Sequence, residues 1–181
     1  MTIHHEHPFV PSEGERDVLR RVRGRLPAAV TVWTTGAGRA RAGLTVSSML
    51  LAAGEPARVL GLVDEESSLW DARPDLLVVN VLAGGHAFLA DAFAGTAPAP
   101  GGPFTLGQWT DTPWGPRLDD AVAWLGVRLD AEDPVHEGWG LLLRGTVEEV
   151  GLADGEVLTH LRGRYGTAAE APGVGGAPSV D

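Results

Sequence analysis

Three hydroxyl side chains crowd into four consecutive positions of this 181-residue chain: Thr45, Ser47 and Ser48, within the run Gly43-Leu44-Thr45-Val46-Ser47-Ser48. Apolar neighbours flank them, and a buried hydroxyl costs free energy unless a partner takes its hydrogen bonds. Strand alternation sends Thr45 and Ser47 to one face and Val46 and Ser48 to the other. One ligand can meet all three hydroxyls only where the strand ends or bends. Two readings follow: a polar ligand gripped at such a bend, or a Ser/Thr-rich edge strand bonded to its own backbone. A second polar set, Asp64-Glu65-Glu66-Ser67-Ser68, precedes the apolar pair Leu69-Trp70. That is the pattern of a helix start, whose free N–H groups suit an anion where the acidic side chains point away. A third set, His160-Leu161-Arg162-Gly163-Arg164-Tyr165, brings an imidazole, two guanidinium groups and a phenol together near the end of the chain.

Missing residue types narrow the chemistry. There is no cysteine, which removes thiolate catalysis, iron–sulfur ligation, disulfides and cysteine zinc sites. All 14 basic residues are arginine. Without lysine, Schiff-base chemistry, the usual pyridoxal phosphate enzymes and Walker-type phosphate loops are excluded. A net charge of −10 argues against nucleic acid or an anionic membrane as partner. His4, His5 and His7, with Glu6, lie in a stretch read as a flexible arm (residues 1–12). Such an arm does not preorganise ligands, so no metal is expected. No apolar run approaches the length of a membrane span, and the first residues lack a basic-then-apolar signal, so a cytoplasmic protein is expected. Gly36-Ala37-Gly38 is not a dinucleotide loop: the third glycine is misplaced, and a strand follows instead of a helix.

The elements that must position these residues are mostly strands. With 44% apolar residues, a single domain over 13–166 with a real core is predicted, followed by a Gly/Ala/Pro-rich tail (167–181) expected to be disordered. Ser12 and Glu15 form a capping box, and Val18, Leu19, Val22 and Leu26 give a helix that Pro27 ends. The arginines between them (Arg20, Arg21, Arg23, Arg25) read as a solvated face. Ala29 to Thr35 and Ala42 to Leu50 read as strands around a hairpin turn at Gly36–Arg39. Ala57 to Asp64 reads as a strand buried on both faces. A helix of one or two turns then runs to Pro74. Leu76 to Leu82 is another strand, in which Asn80 must find buried partners. Gly84 to Phe93 reads as a short helix with Phe88, Leu89, Ala92 and Phe93 on one face, and with His86 as a surface residue. The Pro/Gly-rich stretch Ala94 to Arg117 carries Phe104, Trp109 and Trp114, and its tryptophans could cover a flat ring or bury a dimer contact. Asp120 to Asp130 and Gly138 to Val150 alternate as long antiparallel strands, the second with Trp139 facing the same way as Leu141 and Leu143. Val157 to Tyr165 is the last ordered piece. The result is roughly six or seven strands with three short helices, a mainly β fold with a barrel and helices at its rim.

Laid out in order, the chain from about Arg20 to Tyr165 resembles the flavin reductase family of FMN-binding split barrels, antiparallel and Greek-key in topology. The matching segments are Val30–Thr35, Gly43–Ser48, Leu60–Asp64 with Ser67-Ser68, Val79–Leu82 with Leu89–Phe93, Ala121–Leu125 and His160–Tyr165. The resemblance implies hydride transfer from NADH or NADPH to FMN. It implies flavin contacts from Gly43, Leu44, Thr45, Val46, Ser47 and Ser48, completed by Leu62, Val63, Asp64, Ser67 and Ser68. His160 would serve catalysis and, with Arg164 and Tyr165, would position the nicotinamide. It implies a homodimer and a monooxygenase partner for the reduced flavin. This chain departs from the family at Pro103, where many relatives place a lysine or arginine before the residue matching Phe104. Arg73, or helix and backbone dipoles alone, would then neutralise the phosphate, and weaker, more exchangeable FMN is expected. Gly54-Glu55-Pro56 replaces the usual Asp-Pro-Pro turn, a change confined to a loop. A non-catalytic FMN carrier or sensor, and a dimeric interaction module of the same fold, remain open beside the enzyme.

Overall fold

The structure, a computed structural model, describes residues 18–168. The arm, the Ser12–Glu15 capping box and the tail from residue 169 lie outside them. Short connections between β-branched segments leave antiparallel pairing as the available arrangement. One sheet runs in the spatial order β3 (Ala42–Val46), β2 (Thr31–Thr35), β6 (Leu76–Val81), β9 (Ala123–Leu129), β11 (Gly140–Leu152), β5 (Arg58–Val63), β4 (Met49–Ala52), and β10 (Val135–Glu137) pairs with β11. Strands β3 and β4 are its two ends, yet only Ser47 and Ser48 separate them in sequence. The sheet therefore curls until its ends face each other. At the β4 side of the join, Leu62 N–H donates to Ser48 C=O at 2.9 Å, extending the β4–β5 ladder to the dipeptide. The barrel is split along one seam, and this dipeptide crosses it.

Strand alternation makes two cores. Trp33, Val46, Val59, Val63, Leu77, Val79, Leu125, Val127, Leu141 and Leu143 fill the barrel. Trp33 lies against Gly61, where any side chain would meet its indole. The opposite face of β2 and β6 is covered as well, by α3 (Ala87–Phe93), by the hairpin β7 (Trp109–Thr112) and β8 (Gly115–Leu118), and by a second sheet of β1 (Ala28–Ala29), β12 (Val157–Leu161) and β13 (Arg164–Ala168). Val30, Val32, Leu82, Leu89, Phe93, Leu118 and Leu158 close this outer layer. Asn80 ties the layers together. Its amide donates to Val32 C=O and Thr34 Oγ1, each at 3.1 Å, and its carbonyl accepts from Leu118 N–H at 2.7 Å.

Several elements differ from the sequence reading for identifiable reasons. The Ala29–Thr35 strand divides at Val30, because β1 pairs with β12 while β2 pairs with β3 and β6. Strand β5 is fully buried on one face only: Val59, Gly61 and Val63 are buried, while on the outer face Arg58 and Leu60 are half-buried and Leu62 is exposed. Phe88 points to solvent, and Ala90 takes its place on the buried face of α3. Trp139 sits in the turn before β11 and is 77% exposed. The Pro/Gly stretch is not structureless. Phe104 and Trp109 pack against Phe93, with ring centroids 4.9 and 5.5 Å away. Trp114 lies on Gly126 and donates to Glu148 at 2.7 Å. That bond, and then one from Arg128, hold the Glu148 carboxyl below its ordinary value. Thr167 and Ala168 are the last residues of β13 (Arg164–Ala168).

Candidate active site

At the seam the structure divides the two readings by residue. Thr45 faces α3 and donates to Ala90 C=O at 2.7 Å. Leu44 and Val46 turn toward the barrel core, Leu44 half-buried and Val46 buried, so Val46 offers a ligand only its backbone. The chain leaves the strand at Ser47. Ser48 Oγ accepts from the Arg23 guanidinium at 3.0 Å, at the end of α1 (Val18–Arg23). Among the described residues, the half-buried Ser47 hydroxyl has no hydrogen-bond partner, and neither Ser47 N–H nor Ser48 N–H has an acceptor. Two backbone donors, one hydroxyl and an adjacent guanidinium form a donor set suited to a phosphate. A phosphorylated ligand therefore fits here on local chemistry.

The Asp64–Ser68 turn is largely occupied with holding itself. Asp64 Oδ1 accepts from Glu66 N–H at 2.9 Å. Ser67 donates to Asp64 C=O at 2.6 Å and caps α2 (Ser68–Asp71) by accepting from Trp70 N–H at 3.3 Å. Ser68 donates to Gly43 C=O at 3.2 Å, fastening the turn to β3. Val63 points into the barrel and Leu62 outward. Arg73 is held elsewhere. Its guanidinium lies 4.4 Å from the Trp70 ring centroid, at the wall of a cavity of about 170 Å³ that no seam residue lines. The guanidinium at the seam belongs to Arg23, one of the arginines read as a solvated face.

The His160–Tyr165 segment is a hairpin, and its register sorts the three predicted residues. His160 pairs with Tyr165 and shares its face, with ring centroids 5.5 Å apart, edge to face. Arg164 pairs with Leu161 on the other face and is exposed. The tip docks on the end of α1, with Arg162 N–H donating to Gly24 C=O at 2.7 Å, next to the arginine that holds Ser48. Tyr165 reaches α3 and donates to Asp91 Oδ1 at 2.8 Å. Burial, reinforced by the Asp91 carboxylate, pushes the phenol pKa up to about 12. The seam and the hairpin are thus joined twice, through α1 and through α3. His86 stands apart as a clip: Nδ1 accepts from Ala83 N–H at 3.1 Å, and Nε2 faces Asp120 at 3.0 Å.

Residues 23–169 match the family model described as flavin reductase like domain. The chain belongs to this family. The chain is 34% identical over 173 residues to an FMN reductase (NADH), RutF, of Ancylobacter novellus, covering 91% of this chain and 90% of that one. It is 32% identical to the NADH-dependent FMN reductase AsuE2 of Streptomyces nodosus subsp. asukaensis, over 86% of each. Among solved structures it superposes on the NADH:FAD oxidoreductase SgcE6 of Streptomyces globisporus in complex with NAD and FAD fragments. The TM-score is 0.75 at 25% identity, over 91% of this chain and 98% of that one. Among the described residues of this flavin reductase-like domain, no helix is long and apolar enough to cross a membrane. Sequence reasoning did not single out Arg23 or Asp91. The one available signal was the lack of lysine, which obliges some arginine to meet any anion.

Proposed function

We propose that this protein is an NADH-dependent flavin reductase that binds FMN at the Ser47–Ser48 seam. The observation that carries the reading is the seam itself, a strand break whose N–H groups and Ser47 hydroxyl, unpartnered among the described residues, stand beside Arg23. The activities named for RutF and AsuE2 support it. Bound FMN supplies the hydride acceptor, and NADH the hydride. The chain's task is placement. Ser47, the seam N–H groups and Arg23 hold the phosphate, while the backbone of Gly43 to Val46 lies along the flavin. His160, on the inward face of the hairpin, orients the nicotinamide, and Arg164, on the outward face, suits the phosphates of the dinucleotide. No general acid or base is required for hydride transfer, and near-attack placement is the main contribution expected of the protein.

With Arg23 the one guanidinium bonded at the seam among the described residues and no lysine in the chain, FMN exchanges instead of staying bound as a prosthetic group, and the reduced flavin is released to a monooxygenase partner in the cytoplasm. The working unit is a homodimer. Leu50, Leu62, Val135 and Trp139 are exposed apolar residues close to the seam in sequence or on neighbouring strands. A second copy would cover them through a self-complementary contact. The deciding experiment titrates apo-protein with FMN and then assays NADH and NADPH oxidation. Saturable FMN binding with NADH turnover is expected. Binding without turnover would leave a flavin carrier, and no binding would remove both readings.

A further inference from the structure

Two consecutive residues of α3 hold the two halves of the site. Ala90 C=O takes the Thr45 hydroxyl from the flavin-binding strand, and the Asp91 carboxylate takes the Tyr165 phenol from the hairpin. The helix between them is fixed: Leu89, Ala90, Ala92 and Phe93 are buried, and Thr96 donates to Asp91 C=O at 3.1 Å, closing the turn that follows. The phenol has a single proton to donate, and Asp91 has it. Tyr165 is therefore not a free donor for the substrate. Its ring instead backs the imidazole of His160, directly across the strand pair.

We propose that Asp91 is a positioning residue for hydride transfer: with Tyr165 as a strut, it sets where His160 stands relative to the flavin-binding strand, and α3 is the spacer between the flavin and nicotinamide subsites. The proposal rests on the reading that nicotinamide meets the hairpin. The strut holds across the working pH range, because the phenol stays protonated with its pKa near about 12. Small displacements of a positioned group cost large factors in rate, so the bond acts on turnover without touching the substrate.

The test uses the full chain and compares Tyr165→Phe, Asp91→Ala, Asp91→Asn and the Tyr165→Phe/Asp91→Ala double variant, with His160→Ala as reference. FMN affinity, NADH KM and kcat, and unfolding temperature are measured for each. Tyr165→Phe and Asp91→Ala are each expected to worsen kcat/KM for NADH about tenfold while FMN affinity stays within about twofold. The double variant should be no worse than either single change, and Asp91→Asn, which keeps an acceptor oxygen, should recover most of the loss. Tyr165→Phe removes one oxygen and keeps the ring packing, so it reports even where Asp91→Ala fails to fold. Parallel loss of FMN affinity and stability would reduce the bond to a fold contact and overturn the proposal. Unchanged NADH kinetics in Tyr165→Phe, with a loss in His160→Ala, would refute the strut and leave the nicotinamide site standing. Unchanged kinetics in both would remove the nicotinamide site and the strut together.

Discussion

Arg23 holds Ser48 in a chain with no lysine, and this makes it the natural counter-charge for a flavin phosphate. Arg23→Gln should weaken FMN binding by roughly 1.5–3 kcal/mol, the range for hydrogen bonds to charged groups, and leave riboflavin affinity nearly unchanged. Fluorescence titration with both flavins decides this; equal losses would move the phosphate away from the seam. Tyr165 offers a second measurement, because it is the chain's one tyrosine and tyrosinate absorbance reports it alone. The midpoint should lie near about 12 in the folded protein and fall toward the ordinary value in Asp91→Ala. The raised pKa means that the folded state favours the neutral phenol. Its stabilising contribution is full below the unfolded pKa, near 10, and is lost as pH rises toward the folded value. The demand itself was legible at this scale: Asn80 had to find partners, and it did, although Leu118 on β8 as one of them was not legible. Arg23 was not legible, since its partner lies far along the chain and nothing local distinguishes it from the arginines beside it.

Among elements, β3 is the one most constrained from both sides. Gly43 faces the ring of Phe93, and an added Cβ would stand 2.8 Å from it. The glycine is there so that α3 can approach the strand, whatever its backbone also does for a ligand. Gly43→Ala should destabilise the fold by roughly 1–3 kcal/mol through overpacking, read as a lower urea midpoint at unchanged slope. The type of most elements could be read from periodicity and turn residues, and the need for a bend near the three hydroxyls followed from asking how they could meet one ligand, although the Ala42–Leu50 strand was read as continuous and divides after Val46. Facing was harder. Phe88 and Trp139 fit an apolar stripe on paper, but whether a stripe is covered depends on neighbours that sequence spacing does not name. The hairpin β7–β8 was hidden in a Pro/Gly stretch because its strands are short and polar, as in Trp109–Thr112.

For the whole molecule, the apolar residues left uncovered beside the seam carry the expected dimer. Leu50, 62% exposed on the end strand β4, is the sharpest probe. Leu50→Glu should shift the protein from dimer to monomer in light scattering and lower flavin affinity together with it; a dimer that tolerates the charge would place the contact on another face. The seam has a consequence beyond binding. A cylinder whose two lips are stitched by one dipeptide, and pinned nearby by the Ser68–Gly43 bond, has the form of a clasp, and cargo lodged at the stitch would grip both lips at once. Loading would stiffen the barrel wall and unloading would relax it, so the same few atoms that recognise the passenger also set how rigid its carriage is.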